Sequence, residues 1–563
     1  MEKNRYGEEK RSIKFVVILI LVIVASLAIT FWIQKNTWKN EGLDPAKADT
    51  KISGICQEIE PEVKKISHKE KNIYSEKYQK ESDDEISKQK KEGNYSFEQP
   101  LVIENAYGTY TTSLYYYAET DTPSSATCKI MSEGAATIEQ TLETVDKKGF
   151  VTQHEYNIIG LVPGQENEIT LEFYSEKKEL IGKTSFSYTP AADEQIPEVL
   201  EVHNGESKVA MSDGFYTLLG HDKSTATNVY FFDNEGKTRG RIPLNDYRTD
   251  RLLFVGNEMV YSYDKNKIAF VNRLGKVERT VEIEDYEFHH DFIYDEKQNS
   301  IVILANKKGA DTIEDRVLAL DCKTGKVKEL VDFVNLMPEF RKSAIQRADG
   351  KNTYGGTELD WIHFNSLDMI GDGEVILSSR EHSSLIKVSD IYGSPKIDYI
   401  IHGGSLYKGT KYETYQLKQK GDFVGQAGQH TITVEKDESL PENQYYLYMF
   451  NNNFGNAATI PSFDWSLYPG AGKFAKGDHS CYYKYLVDEE KRTYELVNHF
   501  ELPYSSIVSS VEHMGDNISF SSGMSKCFGE YDKEGKMIRT VYYDADKYSY
   551  RVLKYNFRGF YYR

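Results

Sequence analysis

Apolar and polar residues alternate in short runs over most of the chain beyond residue 98, and this pattern predicts β-strands. Segments such as 108–118 and 168–175 are rich in Tyr, Thr, Leu and Ile, and turn-forming residues separate them. Aromatic and β-branched side chains fit the half-buried surface of a sheet better than that of a helix. Residues 98–192 therefore predict a small β-sandwich domain.

A second pattern recurs beyond residue 200: apolar residues lead into a polar turn, which in most copies contains Gly-Lys, and another strand follows. The copies lie at 231–237, 270–276, 320–326, 388–393, 486–491 and 530–536. Glycine reaches positive φ at low cost, so each copy predicts a tight hairpin. Six copies within 200–563 predict a six-bladed β-propeller and an all-β fold. Unrelated hairpins in an ordinary β-sandwich are the alternative.

The N-terminal region carries a long uncharged run. In residues 15–33 only Ser26 and Thr30 are polar, and a helix needs roughly 20 apolar residues to cross a bilayer. Basic residues precede the run, which favours a cytoplasmic N-terminus. We therefore predict a cytoplasmic tail over 1–14, a single-pass transmembrane helix over 15–34 and an extracytoplasmic remainder at the cell membrane. A cleaved signal peptide is the alternative.

Residues 35–97 are rich in Lys, Glu, Ser and Asp and contain few large apolar residues. Such a composition predicts a charged stalk or linker, either helical or disordered, that acts as a spacer. Residues 190–197, which begin and end with proline, predict a short linker between the two folded domains.

The charge and the cysteines exclude two classes of function. The formal net charge is −18, and such a surface repels a nucleic acid backbone, so we expect no nucleic acid partner. The five cysteines form no CxxC pair, which argues against a structural zinc site built from thiolates. Cys481 and Cys527 can pair only if their strands are neighbours.

Three histidines occupy similar places in the repeat. His290 and His363 precede the strands 301–304 and 374–377 at the same offsets, and His430 precedes the strand 445–449 after a longer insert. Equivalent positions near the first strand of each blade converge on the central channel of a propeller. We therefore expect the three imidazoles to face one cavity. Strand alternation predicts that His289 points the other way.

Arg380 ends the strand that follows His363. A guanidinium fork beside histidines favours an oxyanion such as sulfate or phosphate, and histidine can act as nucleophile, acid or base near neutral pH. These residues predict a site that moves a charged tetrahedral group. Asp291 and Asp360 lie nearby, so a metal site stays an alternative.

The motifs WIHFNS at 361–366, ILSSR at 376–380, GQHT at 428–431 and HHD at 289–291 resemble those of the bacterial arylsulfate sulfotransferases over about residues 98–563. The resemblance implies a six-bladed propeller that transfers sulfate from an aryl sulfate ester to a phenol, without the nucleotide donor PAPS or another cofactor. Some periplasmic members carry a disulfide shortly before the nucleophile, whereas residues 408–429 contain no cysteine.

The resemblance also implies the roles of the site residues. His430 would be the nucleophile that carries sulfate as a transient sulfohistidine, and His290, His363 and Arg380 would bind and neutralise the sulfuryl oxygens. One histidine would protonate the departing phenol and later deprotonate the acceptor. The covalent intermediate predicts ping-pong kinetics.

Two other functions stay open at this point. One is a non-catalytic cell-surface propeller that binds a partner, because propellers host many functions. The other is a metal-dependent hydrolase that uses the same histidines. The expected partners are an aryl sulfate donor, a phenolic acceptor and the membrane, with a homodimer left open.

Overall fold

β-Strands make up most of the regular secondary structure of the described chain. The computed structural model describes residues 56–221, 227–246, 248–468, 478–546 and 548–563. The predicted transmembrane segment 15–34 lies outside these ranges. Within them, no helix combines the length and the apolar character that crossing a bilayer requires.

The N-terminal domain is one eight-stranded sheet, in which the long strand β4 pairs with β3 and β6 through its first half and with β5 and β7 through its second half. The strands are β1 (Cys56–Glu58), β2 (Val63–Lys65), β3 (Leu101–Glu104), β4 (Leu114–Met131), β5 (Ile138–Thr141), β6 (Val151–Ile158), β7 (Asn167–Ser175) and β8 (Leu180–Tyr188).

The segment predicted as a charged stalk or linker is packed against both domains in its described part. Helix α1 (Glu76–Glu92) begins at Ser75, whose side chain accepts a hydrogen bond from the backbone N–H of Tyr78. The Gln79 amide donates to the carbonyl of Tyr107 and accepts from the backbone N–H of Val277 in the propeller. The charge-rich composition does not indicate this packing, because the contacts involve only a few buried residues, two of which are polar.

The remaining strands form the propeller. Its first half contains β9 (Val199–Asn204), β10 (Phe215–His221), β11 (Asn228–Phe232), β12 (Thr238–Pro243), β13 (Leu253–Val255), β14 (Glu258–Asp264), β15 (Lys267–Val271), β16 (Val277–Glu282), β17 (Tyr286–Asp295), β18 (Ser300–Lys307), β19 (Arg316–Asp321) and β20 (Val327–Asp332). Two short helices follow, α2 (Phe333–Leu336) and α3 (Pro338–Ser343).

The second half contains β21 (Phe364–Gly371), β22 (Glu374–Ser379), β23 (Ser384–Ser389), β24 (Lys396–Ile401), β25 (Lys418–Lys420), β26 (His430–Glu435), β27 (Gln444–Asn451), β28 (Ser480–Asp488), β29 (Thr493–Leu502), β30 (Ser510–Met514), β31 (Asn517–Ser522), β32 (Cys527–Tyr531), β33 (Met537–Tyr543) and β34 (Ser549–Tyr555). Two 3₁₀ turns lie at Lys411–Tyr415 and Trp465–Leu467.

These strands form six blades, as the repeat predicts. From the channel outwards the sheets are β34-β10-β11-β12, β13 to β16, β17 to β20, β21 to β24, β26-β27-β28-β29-β25 and β30-β31-β32-β33-β9; we number these blades 1 to 6. The C-terminal strand β34 is the innermost strand of blade 1, and β9 is the outermost strand of blade 6. Both ends of the domain therefore close the ring.

Each predicted turn joins the third and fourth strands of a blade, counted from the channel. In blade 1 the Asp233 carboxylate accepts hydrogen bonds from the backbone N–H groups of Glu235 and Lys237, and Gly236 has φ +78°. Asn272 and Asp532 make the same pair of bonds in blades 2 and 6. Side chains that accept from the backbone two and four residues on make the turn a local property of the sequence.

One hydrophobic core spans the N-terminal domain and the propeller. It joins residues such as Leu114 and Phe173 to Phe231 and Tyr261. At its edge the buried Arg239 guanidinium pairs with Asp233, with Nε–Oδ2 at 2.8 Å, and donates to the carbonyls of Gly160, at 2.7 Å, and Ala136 in the N-terminal domain. The two domains are therefore one packed unit.

Four cysteines, Cys128, Cys322, Cys481 and Cys527, are buried free thiols, so Cys481 and Cys527 do not pair. Burial raises the pKa of the Cys128 thiol to about 12, which makes it unreactive.

Arg239→Ala tests the contact between the domains. The substitution leaves the Asp233 carboxylate buried without its cation, and breaking one side of a buried pair costs about 3–5 kcal/mol. We expect a lower urea midpoint and earlier proteolysis of the N-terminal domain. Lys80→Ala, in the exposed Lys80–Asp84 pair on α1, is the control. An effect of Arg239→Ala no larger than that of the control would contradict this role.

Candidate active site

The four predicted site residues lie in or beside the first two strands of blades 3, 4 and 5, and two of them have left-handed backbone. His290 sits in a bulge of β17 with φ +60°, and His363 precedes β21 with φ +49°. The backbone N–H of Arg380 donates to the carbonyl of His363 at 3.0 Å. His430 opens β26. Left-handed backbone at non-glycine residues is uncommon and is concentrated at functional sites.

The structure brings these residues together. The ring centroids of His290 and His363 are 5.0 Å apart, and the ring centroid of Tyr550, on β34, is 5.4 Å from that of His290. His430 is near enough to Arg380 and His363 for both positive charges to lower its pKa, in addition to the effect of burial. Imidazoles from blades 3, 4 and 5 thus share one buried cluster.

Hydrogen bonds fix the tautomer of His430. Its Nδ1 lies 2.7 Å from Oδ1 of Asn452 and 3.0 Å from the carbonyl of Gly428, both acceptors. The amide of Asn452 donates to the carbonyls of Ser505 and Val508, so its oxygen must face the ring. Nδ1 therefore carries the proton, and Nε2 keeps a lone pair directed at the backbone N–H of Val508, 3.2 Å away.

The segment that carries this N–H is strained. Val508 has φ +57° and Ser509 has φ +91°, and positive φ is costly for a β-branched residue. The Thr431 hydroxyl donates to the carbonyl of Ser509 at 2.9 Å and helps to hold this conformation. This conformation places an amide N–H beside the lone pair of His430.

Burial makes two of the histidines neutral. It lowers the pKa of His430 to about 3, aided by Arg380 and His363 but opposed by the bond to Asn452. Burial also lowers the pKa of His290 well below its usual range, and the His363 charge adds to this effect. A neutral imidazole with an unprotonated Nε2 is a competent nucleophile at neutral pH.

The pKa of His363 is raised, whereas those of His290 and His430 are lowered. Nδ1 of His363 contacts Oδ2 of Asp360 at 2.7 Å and also contacts Oε2 of Glu314. Burial and the Arg380 charge would lower the pKa of His363, but the two carboxylates outweigh them and raise it to about 9. His363 is therefore a buried cation at pH 7.

Arg380 supplies the second positive charge. Its Nη2 lies 3.6 Å from both Asp360 and Glu381. The guanidinium lines a cavity of about 190 Å³ whose other walls include Thr459, Ser506 and Ile507. Its charge is held in place by carboxylates without being enclosed by them, so it can bind an anion that enters the cavity.

Asp291, next to His290, is a structural carboxylate. It receives paired hydrogen bonds from Arg251, at 2.8 and 3.1 Å, and from Arg551, at 2.9 and 3.3 Å. Burial would raise the pKa of Asp291, but the two guanidinium groups lower it below its usual value. Asp291 therefore anchors β17 and is already fully paired.

His289 does not follow the strand alternation that the sequence predicts, because the bulge in β17 interrupts it. Its Nδ1 lies 3.1 Å from Nδ1 of His290. The His289 side chain also lines a second cavity, of about 540 Å³, together with Glu314 and Tyr354. It is His290, rather than His289, whose ring lies against His363.

Two groups of side chains have the donor types for a divalent cation: His289, His290 and Glu314, and Glu314, Asp360 and His363, with the donor atoms of each group within 4.8 Å of one another. Imidazole and carboxylate suit zinc or iron. In the second group, Asp360 already forms an ion pair with protonated His363, and Arg380 adds further positive charge. This arrangement favours a bound anion over a bound cation.

Sequence reasoning missed several parts of the site. Glu314, Asn452 and Val508 touch the predicted histidines from other strands and loops, and no motif marks them. Asp360 stood out only as a nearby carboxylate. Its spacing, three residues before His363, was the one local signal for its contact.

The fold and the site define an all-β propeller enzyme that holds two positive charges beside a neutral histidine. The model of the arylsulfotransferase (ASST) family matches residues 201–563, and the model of the arylsulfotransferase Ig-like domain matches residues 101–192. The chain belongs to the arylsulfotransferase family, which makes it a sulfotransferase of this general type with an Ig-like domain before its propeller.

No curated protein matches the chain. Among solved structures, a putative 6-phosphogluconolactonase from Bacteroides uniformis is 11% identical, with 77% of this chain and 99% of that chain covered and a TM-score of 0.34. BamB from Moraxella catarrhalis is 10% identical, with 64% and 99% covered and a TM-score of 0.28. Similarity at this level carries no information about activity.

The charge states of the histidines can be measured by NMR of histidine-labelled protein. We expect His363 to be cationic at pH 7 and to lose its proton as the pH rises through about 9. His430 should stay neutral, with its proton on Nδ1. Spectra of His363→Gln and His430→Ala assign the two signals. A neutral His363 at pH 7 would contradict the ion pair.

The same shift predicts how stability depends on pH. The pKa of His363 is higher in the folded protein than in the unfolded chain. The ion pair of His363 therefore stabilises the folded state fully below about pH 6.5, and this contribution is lost as the pH rises through the folded pKa. The difference in unfolding free energy between wild type and His363→Gln should therefore shrink from pH 6.5 towards pH 9.

Proposed function

We propose that the protein is a PAPS-independent sulfotransferase that moves a sulfuryl group from an aryl sulfate ester to a phenolic acceptor by a ping-pong mechanism. His430 is the nucleophile, and the intermediate is a sulfohistidine. The observation that carries this proposal is the neutral His430, with its proton held on Nδ1 and its Nε2 unprotonated, near the charged Arg380 and His363.

In the first half-reaction Nε2 of His430 attacks sulfur, the N–S bond forms and the S–O bond to the phenolate breaks. In the second, the oxygen of the acceptor attacks the same sulfur and the electron pair of the N–S bond returns to Nε2. By analogy with phosphoryl transfer, charge spreads over three equatorial oxygens in a loose transition state. Fixed positive charges at Arg380 and His363 and an N–H at His290 would stabilise that charge.

The Val508 N–H fits this sequence of steps. Before the N–S bond forms, this N–H donates to the lone pair of Nε2. Once the N–S bond has formed, Nε2 can no longer accept, and a sulfuryl oxygen becomes the acceptor next to the N–H. A backbone donor that is already in place costs no reorganisation during the reaction.

Two alternatives predict different products. A metal-dependent hydrolase would release inorganic sulfate whether or not phenol is present, and a chelator would abolish its activity. A non-catalytic binding module would release nothing. Sulfated phenol that forms in the presence of chelator supports the transferase.

We further propose that residues 15–34 are a single-pass membrane anchor with the basic tail 1–14 in the cytoplasm. The domains over 98–192 and 200–563 would then be extracytoplasmic. The uncharged run and the preceding basic residues support this arrangement. Protease added to intact cells should cleave the folded domains and leave the tail protected.

His430→Ala tests the covalent step. Wild-type protein mixed with 4-nitrophenyl sulfate alone should release nitrophenol in a burst and gain the mass of one SO₃ group, and phenol should discharge the adduct. His430→Ala should give neither the burst nor the adduct, whereas His499→Ala, at an exposed histidine, should give both. An adduct that persists in His430→Ala would refute the assignment.

Arg380→Ala tests the fixed charge. Loss of one positioned donor typically costs about 2.7–4 kcal/mol of transition-state stabilisation, or 10²–10³-fold in rate. We expect a decrease of this size in kcat/KM for 4-nitrophenyl sulfate. Arg380→Lys should recover part of it, since lysine keeps the charge but not the planar fork. Full activity of Arg380→Ala would show that the guanidinium does not bind the sulfuryl group.

A further inference from the structure

A second arginine, Arg347, lines the cavity that contains Arg380. It lies in the segment that connects α3 to β21. Resting on the proposed function, we infer that Arg347 makes this cavity selective for aryl sulfates and phenols that have one ring and carry an anionic substituent such as a carboxylate. Arg380 would bind the sulfuryl group, and Arg347 would bind the substituent.

The volume of the cavity suits one aromatic ring. It is about 190 Å³, and a cavity of about 150 Å³ in a protein core is large enough to bind benzene. The half-buried side chains of Phe454 and Ile507 form apolar parts of the wall, and an aromatic ring packs well against such surfaces. A ring attached to a sulfuryl group at Arg380 would therefore occupy this space.

Carboxylates already balance the positive charge of Arg380. Its Nη2 lies 3.6 Å from both Asp360 and Glu381. Glu381 is held in place by Thr459, whose backbone N–H and hydroxyl donate to Oε1 at 2.8 and 2.9 Å. Arg380 can bind one sulfuryl group, but a second anionic group in the same cavity needs a further cation.

Arg347 supplies that cation without a carboxylate beside it. Among the described residues, no carboxylate lies within ion-pair distance of its guanidinium, and its side chain is exposed. Apart from Asp360, Arg380 and Glu381, the other residues that line the cavity are uncharged. The whole chain has a net charge of −18, so this unbalanced positive charge is a local exception that favours an anionic ligand. A guanidinium can bind a carboxylate through two parallel hydrogen bonds.

Hydrogen bonds hold the backbone next to Arg347 at the cavity. The N–H of Ile345 donates to the carbonyl of Thr459 at 3.1 Å. The side-chain amide of Gln346 donates to the carbonyl of Thr357 at 3.0 Å, which joins the two ends of the segment. Because the backbone is already positioned, binding a substituent would require ordering only the Arg347 side chain.

Three acceptors that differ in charge but little in size test the role of Arg347: anionic 4-hydroxyphenylacetate, its neutral amide and cationic tyramine. With 4-nitrophenyl sulfate as the donor, the kcat/KM of wild type should decrease from the anionic to the neutral to the cationic acceptor. In Arg347→Ala the ratio of kcat/KM for the anionic over the neutral acceptor should fall about fivefold, the upper end for an ion pair open to solvent. Arg347→Glu should reverse the order of the three acceptors.

Lys351→Ala is the matched control. Lys351 is an exposed cation in the same segment, but it does not line the cavity, so its loss should leave the ratio close to that of wild type. An equal fall in Lys351→Ala and Arg347→Ala would attribute the preference to the overall charge of the segment and not to a contact with Arg347. Added salt should lower the ratio in wild type more than in Arg347→Ala, because ions screen an exposed pair.

Failure of the role of Arg347 can be told apart from failure of the proposed function. If wild type sulfates all three acceptors equally well, or if Arg347→Ala keeps the wild-type ratio, the role of Arg347 is overturned and the transferase stands. If wild type sulfates none of them, the proposed function fails. Calorimetry with 4-hydroxyphenylacetate then tests the anion site alone: weaker binding to Arg347→Ala than to wild type supports it, and equal binding overturns it.

Discussion

The architecture depends on one buried carboxylate near the propeller axis. Asp291, on the inner strand of blade 3, binds Arg551 of blade 1 and Arg251 at the entrance to blade 2, and its Oδ2 lies 3.4 Å from the backbone N–H of Leu367 in blade 4. Four blades thus meet at a single side chain that two guanidinium groups keep ionised. Because Asp291 directly follows His290, the contacts that join these blades also fix the position of a site residue.

Similar bonds between side chain and backbone link other neighbouring blades. Asp368 accepts from Val434, and Glu512 accepts from Lys554, each at 2.8 Å. Inner strands have an edge directed at the channel, where their N–H groups need partners. With these edges satisfied, the strands can end in strained turns at the mouth of the channel, where three imidazoles and a guanidinium converge. The site therefore forms only when the blades are assembled into the ring, because no single blade contains all of its residues.

The sequence predicted those features that short segments determine by themselves. The turns at 231–237 and 530–536 were recognisable because the Asp side chain, the Gly and the bonds between them all lie within seven residues. The site histidines and Arg380 carry local motifs. Glu314 and Asn452 reach the histidines across separate loops and strands, so local patterns could not reveal them. The docking of α1 was also missed, since highly charged residues surround its few buried ones.

The buried thiols have a consequence for the conditions in which the protein folds. Cys128, Cys322, Cys481 and Cys527 fill apolar space as unpaired side chains, and burial raises the pKa of each. No covalent cross-link between these four residues helps to hold the described domains together. The native packing of these four side chains therefore requires neither an oxidant nor a disulfide isomerase.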